Sequence, residues 1–390
     1  MSRLAALATR RALPPPPALA GDPLRAPRPL SPALLAALGG GSAPARAELA
    51  AGRARLVLTG QQPCFPLPLG LSLQKAATAV ALAERLSRER GEPHYGCFWS
   101  AADDSDFAEA RGQALPRPGR PPLAVALPAA QERRGGFVGD LDPGPAWRDL
   151  LGLSGLASGL AARAPRPGED LGAHSARLLA EHFAPWSLFL LDARAEALRA
   201  AAAPLFARYA ERRGDFAAAV DAAGAAIAAE LGEAPLRPGI GERALYFLRG
   251  RRRLLPSAGD YGDALARRLG ESPPALAPNA ALRPLVQDAV LPVAAAVLGP
   301  AEWAYHRQLL AGFRALALPC PPAWPRLAAI SAGDRAAGLD GGGRQSSPLA
   351  RPGHPLADAG ALVELAAAHL AAWEGGTHFE WTLADAPQGG

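Results

Sequence analysis

The chain has 390 residues, 49% of them hydrophobic and 20% charged, with a formal net charge of +5. That length suits two domains or one large α/β domain with an insertion, and this composition excludes a largely disordered or collagen-like chain. The basic excess is spread thinly, with short clusters such as Arg251-Arg252-Arg253 and no basic face interleaved with aromatics, so nucleic acid is not an expected partner.

Residues 1–50 read as an Ala/Pro/Arg-rich arm. Arginines and then Pro14–Pro17 break its apolar stretches, so a secretory signal is not expected. Arg55–Leu58 predicts a short buried strand ending at Thr59-Gly60, followed by a proline-rich loop, Pro63–Gly70. Leu73, Ala76, Ala77, Val80, Leu82, Ala83 and Leu86 give helical spacing over Leu71–Arg90, with Ser72 as a cap and Gly91 as the stop. Tyr95–Trp99 predicts a second buried strand that runs into Asp103-Asp104-Ser105-Asp106. Strand, helix and strand over this length make a βαβ unit of a parallel sheet.

Residues 111–170 are rich in Pro, Gly and Arg, with one strand expected at Leu123–Leu127. Trp186–Leu191 reads as a buried strand, and two Ala-rich helices follow near 194–212 and 215–231. Ala244–Leu248 and Arg253–Leu255 read as a hairpin, and 256–280 as loop and short helix. Leu282–Asp288 reads as extended around Arg283-Pro284. Then come a strand, Ala294–Leu298, a turn at Gly299-Pro300 and a helix from Ala301 to about Leu316. Residues 331–358 read as a linker, and Ala359–Trp373 as a short helix. The expected organisation is thus an arm (1–50), an α/β core (51–330) with a connective insertion at about 111–280, and a linker with a short helical tail (331–390).

No apolar run of eighteen residues occurs, so no membrane span is expected. Cys64, Cys97 and Cys320 lie far apart with no CxxC pair, which fits a reducing cytoplasm and gives no support for zinc. The seven histidines share no ligand-like spacing, and no metal site is expected.

In an open parallel sheet, ligands bind at the carboxyl ends of the strands. Two loops qualify: Thr59-Gly60-Gln61-Gln62 and Asp103–Asp106. The glycine allows a close approach, and each glutamine offers one acceptor and two donors. The next helix points its N-terminus at the same crevice, which suits an anion, and Lys75 lies near that start. Lys75 is the one lysine among 41 Lys+Arg, which marks a place where a compact ammonium is needed and a guanidinium will not serve. Asp103, Asp104 and Asp106 crowd into four residues; they suit acid/base work or an ammonium, and equally a solvated, helix-capping turn. A third cluster joins Arg283, Gln287 and Asp288 to Gly299-Pro300, Glu302 and Tyr305, with Arg283 placed to clamp a carboxylate. There is no GxGxxG, P-loop or GxSxG.

Leu58-Thr59-Gly60-Gln61-Gln62-Pro63, Lys75 and Thr78, Phe98-Trp99 and Asp103–Phe107 together resemble the cysteine-adding enzymes of bacillithiol biosynthesis. That family shows a TGQQ loop, a YKxxT helix and a W-x-A-x-E-D-H-D-F strand end. Pro278-Asn279, Leu282-Arg283-Pro284, Val286-Gln287-Asp288, Leu298-Gly299-Pro300, Glu302, Tyr305, Gln308-Leu309 and Pro325-Arg326 are similar too. The resemblance covers roughly residues 55–330. It implies a Rossmann-like core and a ligase that joins the cysteine carboxyl to the amine of glucosaminyl-malate. The alternatives are an amine–carboxylate ligase of different substrate and an inactive small-molecule-binding homologue. It also implies activation by ATP, since members bind ADP, although the residues themselves define no nucleotide site.

Residue by residue, the resemblance implies that Thr59, Gly60, Gln61, Gln62 and Lys75 hold an anionic group. Asp103, Asp104 and Asp106 would hold an ammonium or accept its proton, and Arg283, Gln287 and Asp288 would position the sugar–malate. Thr78, Trp99, Asn279, Gly299, Glu302 and Tyr305 fall on the family's motif positions as substrate-binding residues. The family's Glu and His in EDHDF are here Asp103 and Ser105, so no imidazole proton shuttle is expected at that turn. The family continues into a long helical coiled coil that makes a homodimer, and residues 327–390 carry no heptad run to match it.

Overall fold

The computed structural model describes residues 8–13, 21, 26–117, 120–152, 160–336, 347–350, 354–374 and 378–383. The main sheet has six strands: β1 (Leu38–Gly40), β2 (Arg55–Gln61), β3 (His94–Ser100), β4 (Phe189–Asp192), β5 (Val293–Leu298) and β6 (Ala323–Pro325). Their order is β6-β5-β2-β3-β4-β1. Five run parallel, and β1 pairs antiparallel with β4 at one edge. Among the helices packed on its two faces are α1 (Gly70–Arg90), α2 (Leu171–His182), α3 (Arg213–Leu231), α4 (Arg283–Val290), α5 (Pro300–Ala315) and α6 (Ala359–Glu374).

The strands are apolar on both faces because helices cover both. Val57, Phe98, Leu190 and Val297 pack with α1, α2 and α6 on one side. Leu56, Leu58, Cys97, Trp99 and Phe189 alternate with them and pack with α3, α4 and α5 on the other. This is a Rossmann-like α/β fold. From β2 the chain builds outward through β3 and β4, then returns to lay β5 on β2's opposite edge. The sheet therefore changes direction between β2 and β5, and a crevice opens beyond their carboxyl ends.

The expected βαβ unit is present, and Gly91 ends α1 in the left-handed conformation, φ 67°. Ser72 does not cap α1: the helix begins two residues earlier, after Leu69, which offers no side-chain cap. The strand expected at Leu123–Leu127 belongs to a hairpin of Gly112–Arg117 with Arg120–Ala126. Leu245–Leu248 and Arg253–Leu254 form the expected hairpin. The first Ala-rich helix is broken into Glu196–Ala201 and Ala203–Glu211, with Pro204 in the first turn of the second piece.

Three readings of the chain are corrected. Residues 30–50 are not a loose arm, because Leu30, Leu34, Leu38, Ala45 and Leu49 are buried in the core and Leu38–Gly40 is a sheet strand. The stretch 111–280 is not one insertion, because β4 in its middle is paired into the main sheet. The end of the chain is more than a tail: α6 packs into the core with α1, and His378–Leu383 pairs with Ala8–Leu13 and with Ala328–Ser331. Part of the expected linker, residues 337–346 and 351–353, lies outside the described residues. Among the described residues no helix is long and apolar enough to cross a membrane.

Candidate active site

The turn after β2 is shaped by two constraints. Thr59 Oγ1 donates to the Val297 carbonyl of β5 at 3.0 Å, which ties the two strands at the crevice. At Gly60 a Cβ would lie 2.5 Å from the Trp99 carbonyl oxygen, so only glycine lets β2 run this close to β3. Lys75 reaches this turn from α1, and its ammonium is spent on protein groups. It donates to the Gly60 carbonyl at 2.7 Å and to Gln61 Oε1 at 3.0 Å, and it pairs with Glu302 Oε2 at 2.7 Å. Glu302 in turn accepts the Gly299 amide at 2.7 Å, closing the first turn of α5. Burial lowers the Lys75 pKa against the opposing pull of Glu302. Burial disfavours the Glu302 carboxylate too, but the Lys75 charge outweighs it and holds the carboxyl below the usual range. Lys75 is thus the pin joining β2, α1 and α5 around a cavity of about 420 Å³.

The acidic turn is divided by Arg253 of the 245–254 hairpin. Its guanidinium lies 2.6 Å from Asp103 Oδ2 and 3.5 Å from Asp104 Oδ1. Asp104 lines the cavity; burial opposes its charge, yet Arg253 and Arg283 hold its carboxyl below the ordinary value. Asp103 faces a neighbouring small cleft, and Asp106 caps the short helix Phe107–Ala110 by accepting the Glu109 amide at 3.0 Å. The three aspartates are therefore not one cluster: two are clasped by an arginine and one is a helix cap.

Arg283 was expected in extended backbone, but it opens α4, with Pro284 preset for the first turn. The helix decides which neighbours face the cavity. Arg283 and Gln287, four apart, share one face and line the cavity. Asp288 is turned about 100° further and lines a separate cleft with Arg28 and Arg55. The expected trio is thus a pair. Asn279 is also structural: its Oδ1 accepts the Ala281 and Leu282 amides and its Nδ2 donates to the Ile240 carbonyl. Thr78 accepts the Leu327 amide at 2.9 Å and lies outside the cavity lining.

Thr59, Gly60, Gln61, Gln62, Lys75, Trp99, Asp104, Arg283, Gln287, Gly299, Glu302 and Tyr305 all line the cavity. Among the described residues, Gln62 Oε1 and Trp99 Nε1 are buried there without a hydrogen-bond partner, one acceptor and one donor left over for a ligand. Glu109, Arg326 and His306 also line it and were not singled out as site residues from the sequence. Arg326 follows β6, donates to Gln74 Oε1 at 3.0 Å and to the Leu327 carbonyl at 2.8 Å, and has its pKa lowered by burial. His306 had a legible signal: it lies four residues after Glu302 on the same helix face.

The family model for the bacillithiol biosynthesis BshC N-terminal Rossmann-like domain matches residues 44–327. The chain belongs to the bacillithiol biosynthesis BshC family. A relative from Solibacter usitatus, named "Putative cysteine ligase BshC", is 31% identical over 304 residues, covering 73% of this chain and 56% of the relative. Relatives of the same name from Koribacter versatilis and Thermus thermophilus are 30% and 31% identical over 291 and 277 residues. Those matches cover 70% and 65% of this chain and 54% and 52% of the relatives. The chain spans about half the length of the curated relatives it matches. The matched segment carries the whole cavity lining.

Proposed function

We propose that this chain is an amide-forming ligase that joins the carboxyl group of cysteine to the amine of glucosaminyl-malate, with a nucleoside triphosphate as co-substrate. One observation carries the reading within the family: the TGQQ turn, the sole lysine and the Gly-Pro-x-Glu helix start converge on a single cavity at the β2/β5 switch point. The cavity is bipolar. Arg283 and Arg326 supply cationic charge for a carboxylate or phosphate, while Asp104 and the bare Gln62 Oε1 supply acceptors for an ammonium or hydroxyl. Lys75, neutralised by Glu302, keeps this frame rigid and is not the anion's principal partner.

The test is direct. Purified chain is mixed with cysteine, glucosaminyl-malate and ATP, and the products are separated and weighed by mass spectrometry. Bacillithiol formation is the expected result. Binding heat with glucosaminyl-malate but no amide product would favour an inactive binding homologue, and amide formation with other amines alone would favour a different substrate.

A further inference from the structure

An amine that becomes an amide must lose a proton, and the groups lining the cavity differ in their freedom to take it. The carboxylates are committed. Glu302 is held by Lys75 and the Gly299 amide, and Asp104 by Arg253 and the Ser105 amide. Glu109 accepts from Gln61 Nε2 at 3.3 Å. His306 is different: it is 7% exposed and lines the cavity, and no group of the described residues hydrogen-bonds its ring. Its neighbour is the Tyr305 ring, with centroids 5.1 Å apart.

We propose that His306 is the proton acceptor of this cavity, taking the proton that the attacking amine sheds as the amide forms. The proposal rests on the ligase reading. The amine nitrogen attacks the carbonyl carbon of an acyl phosphate or acyl adenylate, the activated carboxyl that a nucleoside triphosphate supplies. The C–N bond forms, the C–O bond to the phosphate breaks, and the phosphate departs with the electron pair. The surplus proton on nitrogen passes to the imidazole.

Charges on every element around the ring set its basicity. Burial lowers the His306 pKa first, to about 4, and Arg283 of α4 and Lys75 of α1 lower it further, while Glu302 one turn earlier opposes them. Arg326, beyond β6, faces the same cavity, and Tyr305 is kept as a neutral phenol by burial. Before an anion binds, the ring is neutral and able to accept. An anion seated against Arg283 cancels part of its field and raises the basicity of the ring as the reaction falls due.

Two measurements test this. In the chain labelled with isotopic histidine, His306→Gln assigns the ring signal among the seven histidines. Saturating malate or inorganic phosphate is expected to move its titration midpoint up by about one unit or more. An unmoved midpoint with both anions overturns the proposal. In turnover, H306Q is expected to lose about 10²- to 10⁴-fold in kcat with KM nearly unchanged, and added imidazole to restore part of the activity of H306A. A kcat within threefold of the wild type overturns it as well. A wild type that makes no amide overturns the ligase reading and this role with it, whereas an amide-forming wild type matched by H306Q overturns the role of His306 alone.

Discussion

At the level of single residues, the site depends on pairing more than on isolated charges. Arg253→Gln removes the counter-charge of a largely buried carboxylate pair and is expected to cost about 2–4 kcal/mol near neutral pH. Asp104, whose folded pKa is depressed, contributes stability that is present above the ordinary carboxylate range and lost as pH falls through the folded value. The gap between wild type and R253Q should therefore narrow below about pH 4. Urea denaturation at pH 7 and pH 3.5 measures it, and an equal gap at both would contradict the assigned role of Arg253. The sequence exposed the residue types of this site but not their partners. Lys75 stood out because it is the sole lysine, yet nothing in its neighbourhood announces Glu302, which lies more than two hundred residues away and satisfies its charge.

At the level of elements, α5 carries Glu302, Tyr305 and His306 into the cavity while its far side is locked onto α3. Gly312 makes that contact close: an added Cβ would lie 2.7 Å from the Phe216 ring. Gln308 fastens the same seam, accepting the Leu236 amide at 2.9 Å and donating to the Val220 carbonyl at 3.1 Å. Gly312→Ala is expected to destabilise the protein by about 1–3 kcal/mol and to lower ligand affinity, because α5 shifts as a unit. Calorimetric titration of the folded variant against malate checks the second effect, and unchanged affinity would separate the seam from the site. Strands β2 to β5 and helices α1, α3, α5 and α6 were legible because apolar runs and 3.6-residue spacing are local signals, whereas β1, β6 and α2 went unread. Residues 282–288 were misread as extended for an equally local reason: a proline after Arg283 argues against helix unless it falls in the first turn, and only the packed structure decides that. An extended reading brings Asp288 into the site, and the helical rotation moves it out.

For the whole molecule, several imidazoles are buried in neutral form. His182 and His306 have pKa values lowered to about 4 and His369 to about 3, each chiefly by burial, and His94 and His174 are lowered as well. His369 also accepts the Trp381 indole N–H at 3.2 Å, a bond that its protonation would break. The unfolded chain binds these protons near pH 6.5 and the folded chain does not, so stability should be full above about pH 6.5 and fall toward pH 4. The loss should reach the order of several kcal/mol, read as a fall in the urea midpoint between pH 7 and pH 5. A flat midpoint over that interval would mean that the imidazoles charge within the fold without penalty.

The return of the chain to β2 has a consequence for biosynthesis. Thr59 and Val297, which join the two edges of the crevice, are 238 positions apart. A ribosome adding about 5–20 residues per second needs roughly 10–50 s to cover that distance. Throughout that interval the nascent β2 offers unpaired amides and carbonyls along one flank, ready to accept a foreign strand. Chaperone demand should therefore peak while translation is still short of β5 and drop once that strand has emerged and docked.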